Sequence, residues 1–160
     1  MIKNTDMKKY IIFILLLCCS VINAQVEIDV KQLVGTKWRV YSPNMPKDYY
    51  RVMEFKEKCL VQYHHYSFDE DTLKSQFQYY LSNEIPVSFT EENNRRGKYL
   101  VGRSVLYENP LYNGMWYYTI TKFSESEMLL FRKAEGLKEG HVAMGGLPKD
   151  YTLTLKRIYE

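Results

Sequence analysis

Apolar and polar positions alternate along most of this chain. Over residues 151–159, Tyr151, Leu153, Leu155, Arg157 and Tyr159 fall on one face, and Thr152, Thr154 and Lys156 on the other. Over 73–81, Leu73, Ser75, Phe77, Tyr79 and Leu81 oppose Lys74, Gln76, Gln78 and Tyr80. Ile85, Val87 and Phe89 likewise alternate with Pro86, Ser88 and Thr90. Successive side chains of a strand point to opposite faces, so a period of two predicts half-buried strands here. Further strands are expected over 36–42, 50–56, 59–66, 98–108, 115–123 and 127–133. A helical pattern is confined to 28–34, barely two turns.

The breaks between these segments, at 57–58, 68–72, 91–97, 109–114 and 124–126, are short and polar. Connections that short join antiparallel neighbours, because a parallel return needs a long crossover. The pattern therefore predicts an all-β fold, a meander of eight or nine strands. Closing the meander on itself removes its sheet edges, so an antiparallel up-and-down β-barrel is expected. A sandwich of the same strands is the alternative.

The first 24 residues differ from the rest. Lys8 and Lys9 precede an apolar run from Tyr10 to Cys19, and Ser20 to Ala24 follow with a small residue at the end. This is the pattern of a signal peptide cleaved after Ala24, and the run is about half the length a membrane-spanning helix needs. The expected mature chain, 25–160, is one domain bound for the periplasm or the medium. Lipidation at Cys18 or Cys19 is the less favoured route, because Leu17 and Cys18 are not the small residues that usually precede a lipidated cysteine. Losing three lysines and one aspartate with the leader reduces the net charge from +3 to +1. A near-neutral chain gives no electrostatic reason to expect nucleic acid or an anionic membrane as partner. Cys59 is the one cysteine beyond the leader, which rules out an internal disulfide in the mature chain. Fourteen of the 15 tyrosines follow Ala24, and tyrosine suits strands and half-polar surfaces.

Gly35-Thr36-Lys37-Trp38 opens the first long strand after a short helical turn, and Arg157 lies in the last. In these features the chain resembles the lipocalin-like proteins of the calycin superfamily, especially the short secreted versions of Bacteroidetes. The spacing here is Gly-x-x-Trp, where lipocalins proper have Gly-x-Trp. The resemblance implies an eight-stranded barrel with Trp38 packed across Arg157 to close one end. The alternation itself places Arg157 on the inward face with Leu153 and Leu155. Stacking on a tryptophan ring would account for an inward arginine.

Residues that could carry chemistry do not converge. His64 and His65 are adjacent on a strand and must face opposite sides, and His141 lies in a glycine-rich segment, so no metal site is expected. Cys59 is expected to be an inert, buried thiol. Asp69 to Asp71, Glu91 with Glu92, and Glu125 with Glu127 fit solvated turns. The connection 134–148 is the longest and carries Leu137, Val142, Met144 and Leu147. It is either a lid over one barrel mouth or a hairpin with its own apolar cluster.

Two functions are compatible with this pattern. The first is non-catalytic binding of a small hydrophobic or amphipathic ligand inside the barrel, against Met53, Phe55, Phe77, Tyr79, Phe89, Leu153 and Leu155, without a cofactor. The second is a solid barrel whose outward tyrosines contact a protein or glycan partner. Neither an activated nucleophile nor a matched acid and base points to an enzyme.

Overall fold

The computed structural model describes residues 25–43, 45–68, 72–90, 95–105, 115–134 and 149–159. The expected signal peptide (1–24), the acidic positions 69–71, 91 and 92, and most of the long connection (135–148) lie outside the described residues.

Among the described residues ten strands are formed: β1 (Ile28–Asp29), β2 (Thr36–Tyr41), β3 (Tyr49–Phe55), β4 (Leu60–Tyr66), β5 (Leu73–Ser82), β6 (Arg96–Gly97), β7 (Tyr99–Ser104), β8 (Met115–Phe123), β9 (Glu127–Arg132) and β10 (Tyr151–Ile158). Eight of them close a barrel in the order β10-β2-β3-β4-β5-β7-β8-β9, each antiparallel to its neighbours. The expected all-β up-and-down barrel is therefore the fold, and it is compatible with a lipocalin-like architecture. The short strands β1 and β6 pair outside the ring. No helix among the described residues is long and apolar enough to cross a membrane.

Two local expectations change. The stretch 28–34 is not an α-helix: Ile28 pairs with Gly97, and a single 3-10 turn follows at Val30–Gln32. A reciprocal cap fixes that turn, with the Asp29 carboxylate accepting from the Lys31 N–H and Gln32 Oε1 accepting from the Asp29 N–H, both at 2.8 Å. Gly35 then takes φ +79°, a left-handed conformation that suits glycine, and leads into β2. The alternating stretch 85–89 is not a strand. Ser82 Oγ bonds both the N–H and the carbonyl of Glu84, which turns the chain, and Pro86 has no N–H to give a ladder. Ile85 and Val87 are exposed, and Phe89 packs on Tyr80 outside the barrel wall.

The pairing register fixes which side chains point inward. Thr36, Trp38 and Val40 lie opposite Phe55, Met53 and Arg51, which continue across β4 as Leu60, Gln62 and His64. A bulge in β8 shifts the register between Ile120 and Lys122. It turns both Ile120 and Phe123 inward, although they are three residues apart. The Phe123 ring meets Trp38 at 6.1 Å between centroids.

Trp38 has no accessible surface, and its indole N–H donates to Thr36 Oγ1 at 2.6 Å. The Thr36 hydroxyl in turn donates to the Leu33 carbonyl. Arg157 is the cross-strand partner of Trp38, with its guanidinium carbon 6.0 Å from the ring centroid. Leu33 and Ile28 close this end, both buried. Arg157 thus lies between the Trp38 and Tyr159 rings.

Candidate functional site

The barrel interior has two unlike halves. Near the Trp38 end the inward residues are apolar and tightly covered: Met53, Phe55, Leu100, Ile120, Met128, Leu130, Leu153 and Leu155 retain at most 2% of their surface. A side chain without accessible surface cannot border a void that a water-sized molecule enters. Four of the expected ligand contacts, Met53, Phe55, Leu153 and Leu155, therefore point inward as expected but belong to filled core.

Phe77 and Tyr79 are only partly buried, with Phe77 edge-on to Trp116 at 5.6 Å and Tyr79 edge-on to Phe55 at 5.4 Å. The Tyr79 hydroxyl donates to the Lys56 carbonyl at 2.9 Å, and burial pushes its pKa up to about 12. Phe89 is brought to none of these residues. It lies on the outer face between Tyr80 and Arg103, whose guanidinium sits 4.5 Å from its ring. The expected inward placement of Phe89 is corrected, because the turn at Ser82–Glu84 takes the segment off the sheet.

Toward the far end the same inward face becomes polar and, apart from the buried Gln62 and Tyr118, half-accessible. The connections β4–β5, β7–β8 and β9–β10 leave from this end. β3 contributes Arg51 and Tyr49, β4 contributes Gln62 and His64, β8 contributes Trp116 and Tyr118, and β9 and β10 contribute the cross-strand pair Arg132 and Tyr151. Arg51 Nη1 donates to Gln62 Oε1 over a long 3.4 Å, and Arg51 Nε is buried with no partner. Tyr49 Oη and His64 Nδ1 lie 2.7 Å apart. Burial, then the charges of Arg51 and His65, hold His64 below the ordinary histidine range and favour its neutral form.

Tyr118 and Tyr151 share a hydrogen bond of 3.1 Å, and the Arg132 guanidinium lies 5.9 Å from the Tyr118 ring centroid. Burial above all, then Tyr151, pushes the Tyr118 pKa up to about 12, while Arg132 and Arg51 both pull it down. The two guanidiniums therefore act on one phenol. Burial works against the Arg132 charge, but hydrogen bonding and charge interactions with Tyr151 and Tyr118 outweigh it and raise its pKa.

Sequence reasoning missed this polar set because it selected apolar inward residues. The signal was present: Arg51 lies two before Met53, Arg132 two after Leu130, and Tyr151 two before Leu153. The two adjacent histidines divide as expected. His65 faces outward and stacks on Tyr50 at 4.3 Å. Cys59 is a half-buried free thiol. No three potential metal ligands come together among the described residues. A groove of about 670 Å³ lies between the 3-10 turn and the β3–β4 connection, lined by Lys31, Lys58, Tyr79, Tyr80 and Arg95. The chain matches no protein-family model, no curated protein and no solved structure at a significant level.

Proposed function

We propose that this chain is an exported lipocalin-like protein that binds a small amphipathic molecule, without catalysis, in the far half of its barrel. The observation that carries the reading is the contrast inside one wall: a filled apolar half beside a half-accessible half lined by Phe77, Trp116, tyrosines and two arginines. Ligand sites combine an apolar surface with a few placed polar groups in this way. Export rests on the leader pattern of residues 8–24, and the mature mass should begin at Gln25. The connection 134–148 has its anchors at this end, where the Ala134 N–H donates to Asp150 Oδ1 at 2.7 Å.

A ligand that binds only the folded state raises its stability by mass action. Thermal unfolding against fatty acids, retinoids, haem and sterols should give a saturable shift with at least one class. No shift with any of them would remove the binding function. The outer wall then supplies the alternative, contact with a protein or glycan. Arg39 there stacks on Tyr50 at 4.6 Å, and Tyr50 stacks on His65.

A further inference from the structure

The two inward arginines constrain the chemistry of the ligand, given the binding function proposed above. Arginine keeps its charge at any physiological pH and carries five N–H donors. Arg51 uses one of them, in a long bond to Gln62, and its Nε is buried without a partner. Arg132 has the Tyr118 ring beside it and hydrogen-bonds with the Tyr118 and Tyr151 hydroxyls rather than with a carboxylate. Among the described residues no carboxylate faces this half. The two strand glutamates near the site's neighbours, Glu54 and Glu127, are outward. They bond Tyr63 and Lys122. Asp48 and Asp150 stand exposed at the rim, and the Asp150 carboxylate is bonded to the Ala134 N–H. The remaining inward polar groups, Gln62, Tyr49 and His64, carry no negative charge to offset the pair.

Two like charges facing one interior, with unused donors on Arg51 and no counter-charge among the described residues, form half of an ion pair. We infer that Arg51 and Arg132 receive the oxyanion head of an amphipathic organic acid, whose apolar body lies against Phe77 and Trp116. The head would take the free Arg51 donors and the Arg132 fork, the arrangement in which charge-assisted hydrogen bonds to a carboxylate are strongest. Trp116 links the two parts, because its ring meets Phe77 at 5.6 Å and Tyr118 at 5.4 Å.

Calorimetry with three probes separates the parts of this inference. Octanoate carries both head and tail, octanol the tail alone, and inorganic phosphate the charge alone. Octanoate should bind, octanol should bind at least about tenfold more weakly, and phosphate weakest of all. Arg51→Gln and Arg132→Gln should each weaken octanoate about tenfold or more and leave octanol unchanged, while Arg51→Lys should retain part of the affinity. Without ligand, Arg51→Met should melt no lower than the parent protein, since it removes a buried Nε that has no partner and gives up only the long bond to Gln62. Equal binding of octanoate and octanol, or glutamine variants that bind octanoate normally, would overturn the head-group role and leave barrel binding standing. Phosphate binding as tightly as octanoate would overturn the apolar body. If neither octanoate nor octanol binds, the binding function itself falls.

Discussion

Removing the Trp38 ring tests whether the closed end holds the barrel together. The side chain is wholly inaccessible, packs on Phe123 at 6.1 Å and spends its N–H on Thr36 at 2.6 Å. An aromatic side chain of this kind buries roughly 200 Å², and at about 25 cal/mol per Å² its transfer is worth about 5 kcal/mol. Trp38→Ala should therefore cost about 3–5 kcal/mol, a large share of a domain's total stability. Trp38→Phe keeps most of the bulk but strips Thr36 Oγ1 of its donor, and should cost about 1–2 kcal/mol. The Arg157 guanidinium, 6.0 Å from the ring centroid, lies at the outer limit of a cation–π contact. A double-mutant cycle with Arg157→Ala should then give a coupling of only about 0.5–1 kcal/mol. Urea unfolding followed by far-UV circular dichroism measures all four corners of the cycle. A Trp38→Ala cost under about 1 kcal/mol would refute a packed, ring-centred closure. An Arg157→Ala cost equal to that of Trp38→Ala would show that charge, not burial, dominates.

Gly102 faces Trp116 across β7 and β8, and a Cβ there would clash with the Trp116 ring, 2.1 Å from its Cζ2 atom. Gly102→Ala should displace the indole from Phe77, cost about 1–3 kcal/mol and shift the tryptophan emission; an unchanged melt and spectrum would show the ring is not held there. His64 is kept neutral in the fold, so below about pH 6.5 the unfolded chain takes up a proton that the native chain resists. Stability should therefore fall as the pH drops from about 7 to 5, and His64→Gln should flatten that slope in a urea series; an identical slope would exclude His64 as its source.

The strands were legible because burial on one side imprints a period of two. Trp38, Val40, Met53, Phe55, Leu153 and Leu155 sit on the faces their spacing predicts, and the predicted opposition of Trp38 and Arg157 is an actual cross-strand pair. The failures have local causes that alternation does not record. Ile85, Val87 and Phe89 alternate like a strand, yet a serine hydroxyl and a proline redirect the backbone before any ladder forms. The bulge near Thr121 was invisible because it breaks the period for one residue and restores it on the other face. The candidate site was half legible. Period two does assign Arg51, Arg132 and Tyr151 to the interior, but an expectation that interiors are apolar passes over them.

The division within the wall explains how one small barrel carries inward charge and still folds. The strands that line the polar half also cross the apolar half, so each holds its place through its apolar end. β3 runs from a half-buried Tyr49 to a sealed Phe55, β4 from Tyr66 to Leu60, and β10 from Tyr151 to Leu155. The sealed ends meet around Trp38, where the Leu33 turn, the Phe123 bulge and Arg157 converge. Stability concentrated there releases the far half from the need to be apolar. A guanidinium placed among closely packed leucines would carry a heavy desolvation cost, which is smaller in the half-accessible end. The position of Arg51 follows from the same logic. It lies one inward step beyond Met53, the last residue of the sealed core on its strand, so a bound head group would sit on a rigid floor. A site built on strands rather than loops holds its donors in place before the ligand arrives, which lowers the entropic cost of binding.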